Sequence, residues 1–187
     1  MRAAFLDRDG VINLDRAYVH KREDFEWVPG AVEALRILHE ARFALVIVTN
    51  QSGIGRGYYT EDDFHKLNDW MTAELARAGA PVADVRFCPH HPVNAIDRYR
   101  CECTCRKPLP GMILDSAKAL GIDLSRSILF GDKQRDCVSG LRAGLPECVL
   151  LGTDGKEVPA PVPEATRVER DLLTAVKSDW FREFAAG

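Results

Sequence analysis

The sequence predicts an α/β fold: an open, mostly parallel sheet flanked by helices. Three observations carry that prediction. Short apolar runs rich in Val, Ile, Leu and Phe alternate with stretches of helical period, the signature of βαβ units. The runs are nearly continuous in hydrophobicity, as in strands covered on both faces. Polar residues gather where the runs end, the edge at which open α/β sheets place their ligands.

In chain order, strands are expected at residues 3–6, 44–49, 85–88, 127–131 and 148–151. Val32, Leu35 and Leu38 form the apolar stripe of a first helix. Phe64, Leu67, Met71 and Leu75 form a second, opened by a capping box of Thr60 and Asp63. Met112, Ala117 and Leu120 face inward on a third helix stopped by Gly121, and Val138 and Leu141 on a shorter fourth stopped by Gly144. "EVPAPVPEATR" reads as a proline-rich surface link, and Leu172, Leu173, Val176 and Trp180 as a closing helix over about residues 168–184. No repeat or second domain is visible, so one domain is expected over residues 1–187.

A chain of this length can bury a full core without disulfide staples. No apolar run approaches the ~20 residues of a membrane span, and "MRAAFLDRDG" meets acidic residues too early for a signal peptide. The expectation is a soluble, cytoplasmic monomer whose clustered cysteines bind metal rather than each other. The net charge of −3, without a basic tract, argues against a nucleic-acid binder.

Three strand ends carry the chemistry. The first ends in "FLDRDG", with Asp7 and Asp9; the second in "VTNQSG", with Thr49, Asn50 and Ser52; the fourth in "FGDK", with Asp132 and Lys133. Residues two apart on an extended segment share a side, so Asp7 and Asp9 address or flank one site. Crowded carboxylates call for a divalent cation, and oxygen donors from Asp7, Asp9 and Asp132 suit Mg²⁺. Taken alone, D-x-D-G is equally a turn before Gly10; alongside the other two strand ends, the metal reading is preferred. The Thr49 hydroxyl, the turn at residues 50–53 and a lysine, either Lys107 or Lys133, are what a phosphoryl group requires.

"FLDRDGVIN", "VTNQSG", "CRKPLPG" and "FGDK" resemble the four ordered motifs of the haloacid dehalogenase superfamily of phosphohydrolases, over roughly residues 3–151. "DRAYVH", "CPHHP" and C-x-C-R-K-P resemble most closely the branch acting on heptose 1,7-bisphosphates; the histidinol-phosphate branch is the neighbouring alternative. The resemblance implies that Asp7 is a nucleophile and Asp9 a general acid and base. It implies that Mg²⁺ is held by the Asp7 carboxylate, the Asp9 carbonyl and Asp132. Thr49 and Lys107 would hold the transferring group, with Asp136 as a supporting partner. Asp15, Arg16, Ala17, Tyr18, Asn50, Gln51, Ser52, Arg106 and Lys133 fall at substrate-binding positions, and Arg106 suits bidentate contact with a second phosphate or sugar hydroxyls. The implied reaction is removal of the 7-phosphate of a phosphorylated heptose, in lipopolysaccharide precursor synthesis.

The irregular segment at residues 89–110, which takes in most of a metal-binding loop expected at about residues 88–107, asks for a stabilising device, because a compact domain seldom carries ~20 structureless residues. Cys88 and His90 lie two apart, and a downstream C-x-C could close a tetrahedral Cys₃His zinc site with no position left for water. Spacing permits either Cys101 with Cys103 or Cys103 with Cys105; the family pattern, with C-x-C directly before R-K-P, implies Cys103 and Cys105. Whether Cys101 can replace Cys103, and what the neighbouring His91 does, stays open. Cys137 and Cys148 are expected in the core. The length from His90 to Cys103 favours the heptose branch over the histidinol one. A zinc module docking a partner is the non-enzymatic alternative, weakened by the lack of clustered basic and aromatic residues. A phosphomutase is the enzymatic one, disfavoured because no separate cap domain excludes water.

Overall fold

The computed structural model describes residues 1–187. β1 (Arg2–Leu6), β2 (Phe43–Asn50), β3 (Val82–Cys88), β4 (Ile128–Gly131), β5 (Glu147–Leu151) and β6 (Arg167–Glu169) form one parallel sheet in the order β3-β2-β1-β4-β5-β6. The strand order reverses beside β1, so the ends of β1, β2 and β4 lie together at the switch point where such sheets bind ligands.

Alternation along the strands splits the core in two. Ala4, Leu6, Leu45, Ile47, Ile128, Phe130, Val149 and Leu151 face one side, against Leu35 and Leu38 of α1 (Ala31–Glu40) and Met71 and Leu75 of α3 (Glu61–Arg77). Leu172, Ala175 and Val176 of α6 (Leu172–Lys177) and Phe181 of α7 (Asp179–Ala186) complete that layer. Ala3, Phe5, Val46, Val48, Leu129, Cys148 and Leu150 face the other side, against Met112 and Ile113 of α4 (Gly111–Leu120) and Cys137 of α5 (Gln134–Ala143). A four-residue helix, α2 (Ser52–Gly55), follows β2 directly.

The expected capping box is present: Asp63 N–H donates to Thr60 Oγ1 at 3.1 Å, and Thr60 N–H donates to Asp63 Oδ2 at 2.9 Å. Gly121 and Gly144 close α4 and α5 in the left-handed conformation. On α5, however, Cys137, Gly140 and Ala143 turn inward, while Leu141 is exposed. The reason is proximity: a Cβ on Gly140 would sit 2.5 Å from Cys148 Sγ, so the helix packs through its small residues. The C-terminal segment also departs from the sequence expectation. It is the strand β6 followed by two helices, α6 and α7, divided at Ser178, whose hydroxyl caps α7 through Phe181 N–H. No large cap domain interrupts the sheet; the long insertion is the loop between β3 and α4.

Candidate active site

The site is built on the ends of β1, β2 and β4. Asp7 N–H donates to Phe130 O at 3.0 Å, carrying the β1–β4 pairing one residue past the strand. Asp7 Oδ1 then accepts Arg8 N–H at 2.8 Å. Gly10, at φ +88°, gives the turn its left-handed step, and a Cβ there would lie 2.3 Å from Asp132 Oδ2. Only glycine at this position lets the Asp132 carboxylate close on the β1 turn.

Lys107 lies beneath the site, fully buried. Its Nζ sits 3.0 Å from Asp7 Oδ1 and 2.7 Å from Asp136 Oδ1 and donates to Val48 O at 2.8 Å. Asn50 clamps the lysine's backbone on both sides, accepting from Lys107 N–H at 3.0 Å and donating to Lys107 O at 3.1 Å. The Asp7 carboxyl is raised to about 7: burial lifts it most, Lys107 pulls it down, and Asp136, Asp132 and Asp9 add repulsion. Burial opposes the charge on Lys107, but Asp136 and Asp7 outweigh it and the net shift is upward.

Asp132 is raised by burial, against the hydrogen bond from Lys133. Its Oδ2 accepts from Thr153 Oγ1 at 2.8 Å and lies 2.9 Å from Lys133 Nζ, while its buried Oδ1 has no donor. Asp7, Asp132 and Asp136 bring carboxylate oxygens within 4.8 Å of one another. Hard oxygen donors around an orphaned buried carboxylate oxygen fit a Mg²⁺ ion.

Asp9 turns the other way. Its Oδ1 accepts from Arg8 Nη2 at 3.0 Å and Asn13 Nδ2 at 2.9 Å, and its Oδ2 from Gln51 Nε2 at 2.9 Å. Asp7 and Asp9 therefore flank one cleft of about 260 Å³. Asp15, Ala17, Tyr18, Thr49, Asn50, Gln51, Ser52 and Lys133 also line it. Arg16 does not: its guanidinium pairs with Glu26. Arg106 stands outside the lining, half-buried, its Nη1 donating to His90 O at 3.1 Å.

Several contributors escaped the sequence reading. Tyr59 and Arg135 line the cleft, and Thr153 fixes Asp132. Arg8 is fully buried and pairs with Asp9. Its signal was available: an arginine at the end of an apolar strand, between two aspartates, must find a counter-ion inside. Tyr59 and Thr153 lie outside every motif and left no such signal.

The second cluster is Cys88, His90, Cys103 and Cys105, whose ligand atoms all lie within 4.8 Å of one another. Cys88 Sγ is 3.0 Å from Cys105 Sγ and 3.7 Å from Cys103 Sγ; His90 Nδ1 is 3.4 Å from Cys105 Sγ. A tetrahedron with 2.3 Å zinc–sulfur bonds has edges of about 3.8 Å, so this donor set fits zinc. Cys105 is pulled down to about 5, chiefly by the hydrogen bond it shares with Cys88, whose own thiol is pushed up by that bond and by burial. Cys101 stands apart. His91 Nδ1 accepts the backbone N–H of Val93 at 3.2 Å and of Asn94 at 2.8 Å, which turns its ring into the loop's own backbone.

A parallel sheet with D-x-D after its first strand, a hydroxyl at the end of its second, an acid after its fourth and a buried lysine beneath them has the parts of a phosphoryl-transfer site. Two family models match the chain: HAD-hydrolase-like over residues 104–175 and Polynucleotide kinase 3 phosphatase over residues 3–136. A D-glycero-beta-D-manno-heptose-1,7-bisphosphate 7-phosphatase of Rhodopseudomonas palustris is 49% identical over 81% of this chain and 84% of its own. A D-glycero-alpha-D-manno-heptose-1,7-bisphosphate 7-phosphatase of Photorhabdus laumondii is 43% identical over 95% of this chain and 96% of its own. Among solved structures, the D,D-heptose 1,7-bisphosphate phosphatase of B. bronchiseptica, complexed with magnesium and phosphate, is similar at a TM-score of 0.82 and 33% identity, covering 98% of this chain and 99% of its own. The chain belongs to the haloacid dehalogenase-like phosphatases, the family of these heptose bisphosphate phosphatases, and is an enzyme.

Proposed function

We propose that this enzyme removes the 7-phosphate of a D-glycero-D-manno-heptose 1,7-bisphosphate through an aspartyl-phosphate on Asp7. The observation that carries the substrate is the 49% identity to a phosphatase of that specificity over 81% of this chain. The geometry supports the chemistry. Asp7, held by Arg8 N–H and Lys107, presents its carboxylate to phosphorus; the P–O bond to the sugar breaks as the Asp7 O–P bond forms. Asp9 protonates the departing sugar oxygen, then takes a proton from the water that releases phosphate. Thr49 Oγ1 and Lys107 face the transferring group's oxygens and offset their charge.

Mg²⁺, the ion with which the similar B. bronchiseptica phosphatase is complexed, would be held by Asp7, the Asp9 carbonyl and Asp132 and would supply Lewis-acid stabilisation of that charge. Zinc held by Cys88, His90, Cys103 and Cys105 would keep the loop that carries Arg106 and Lys107 folded. Asp15, Ala17, Tyr18, Ser52 and Lys133 of the cleft receive the sugar, and Arg135 of its lining, with Arg106 beside it outside the lining, the second phosphate. No helix is long and apolar enough to cross a membrane, and we place the enzyme in the cytoplasm as a monomer serving lipopolysaccharide precursor synthesis.

The test is phosphate release, with Mg²⁺ present, from the α and β anomers of heptose 1,7-bisphosphate and from histidinol phosphate side by side. A heptose bisphosphate turned over with the highest kcat/KM supports the reading. Preference for histidinol phosphate overturns it.

A further inference from the structure

Gln51 belongs to the motif expected to touch substrate, yet its side chain is committed elsewhere. Gln51 is buried, and its Nε2 donates to Asp9 Oδ2 at 2.9 Å and to Thr49 Oγ1 at 2.8 Å. An amide is nearly symmetric in shape but not in chemistry. Rotated by a half-turn, Gln51 would set its oxygen against the Asp9 carboxylate and lose both donations.

Two donors hold the amide against that rotation, and both act on Gln51 Oε1. One is Arg8 Nη2 at a long 3.4 Å; the other is the Tyr59 hydroxyl in a short contact. Tyr59 is itself fixed. It is buried, its ring stacks on His20 with centroids 4.7 Å apart, and the residue after it, Thr60, caps α3. A Cβ on Gly53 would lie 2.2 Å from Tyr59 Cε1, so the glycine of "NQSG" is what lets the ring approach. Burial pushes the phenol's pKa up, which keeps the hydroxyl a donor.

We propose that Tyr59 is a positioning residue for proton transfer: through Gln51 it fixes the Asp9 carboxylate in the orientation that reaches the departing oxygen. The relay runs from the Tyr59 hydroxyl to Gln51 Oε1, and from Gln51 Nε2 to Asp9 Oδ2. It rests on the acid–base role of Asp9 proposed above.

The test is single-turnover release of the leaving group, which reads phosphoenzyme formation alone, for heptose bisphosphate and for p-nitrophenyl phosphate. The phenolate of the second substrate needs no proton to depart. Tyr59→Phe, which deletes one hydroxyl, is expected to slow the sugar substrate about tenfold and the aryl phosphate less than about twofold, with KM unmoved. Gln51→Glu keeps the acceptor for Tyr59 but sets an oxygen against Asp9, and should reproduce that selective loss. Equal slowing of both substrates, no slowing of either, or a loss confined to KM overturns the relay. Asp9→Asn is the control beneath it: if that variant does not discriminate between the two substrates, the acid–base role itself falls, and the relay with it. If Asp9→Asn discriminates and Tyr59→Phe does not, only the relay falls.

Discussion

Lys107 Nζ lies 2.7 Å from Asp136 Oδ1, and each of the two side chains is 1% exposed. The same ammonium lies 3.0 Å from Asp7, so one buried cation compensates two buried carboxylates. Lys107→Met leaves those carboxylates facing each other, and breaking a buried pair costs about 3–5 kcal/mol. For a chain of this size that lowers the melting temperature by about 10 °C. Added Mg²⁺ should restore part of the loss by replacing the missing charge, while phosphate release stays at background. Thermal unfolding with and without Mg²⁺ checks this, and an unchanged melting point would show that Lys107 is not the counter-ion.

The nucleophile prediction separates fold from chemistry. Asp7→Asn keeps the shape of the side chain and an oxygen for Arg8 N–H, so the protein should fold and turnover should vanish. Rapid quenching with radiolabelled substrate should trap phosphoenzyme in the wild type and none in the variant. An unchanged rate would remove Asp7 from the mechanism.

Much of this architecture was legible in the sequence, and its failures have physical causes. Five strands declared themselves by apolar runs because both faces of the sheet are covered. β6 did not: Arg167–Glu169 has no run of its own and is a strand because β5 offers it an edge, with Val149 paired to Arg167. The inward face of α5 was misread because apolar periodicity favours Val138 and Leu141, whereas close approach of helix and sheet favours Gly140. In the site, Asp7, Asp9, Thr49 and Asp132 were visible as polar residues ending apolar strands. Asn50 and Gln51 were visible too, but not the direction of their amides, which point to Lys107 and Asp9. Spacing locates a side chain along the chain; only packing decides what it faces.

Arg106 offers a test of how the substrate's far end is read. Its Nη1 donates to His90 O, so the backbone of the loop that carries the cysteine cluster orients the guanidinium. Arg106→Met should raise KM for heptose 1,7-bisphosphate by about 10–100-fold, the worth of a charged hydrogen-bonded contact. Heptose 7-phosphate, which has no phosphate at the far end, should barely respond. The two kcat/KM values measured on one preparation decide it; equal losses would remove Arg106 from second-phosphate recognition.

The Cys88, His90, Cys103 and Cys105 cluster lies two residues from the lysine of the active site. Cys105 is followed by Arg106 and Lys107, so an ion that anchors Cys103 and Cys105 to Cys88 at the end of β3 also anchors the lysine beneath Asp7. Structural zinc supplies on the order of 10 kcal/mol toward ordering its ligands. Cys88→Ser, or prolonged chelation, should therefore release zinc, loosen residues 89–110 to rapid hydrogen exchange and abolish phosphate release even with excess Mg²⁺. The helical signal of the two-layer core should persist, because α1, α3, α6 and α7 pack on the face of the sheet away from Cys88. Cys101→Ser is the contrasting variant. Its sulfur lies outside the four-ligand group, so zinc content by elemental analysis, exchange protection and activity should all match the wild type. Loss of zinc from Cys101→Ser would reassign the ligand set, and activity retained by Cys88→Ser with an ordered loop would end the structural role of the ion.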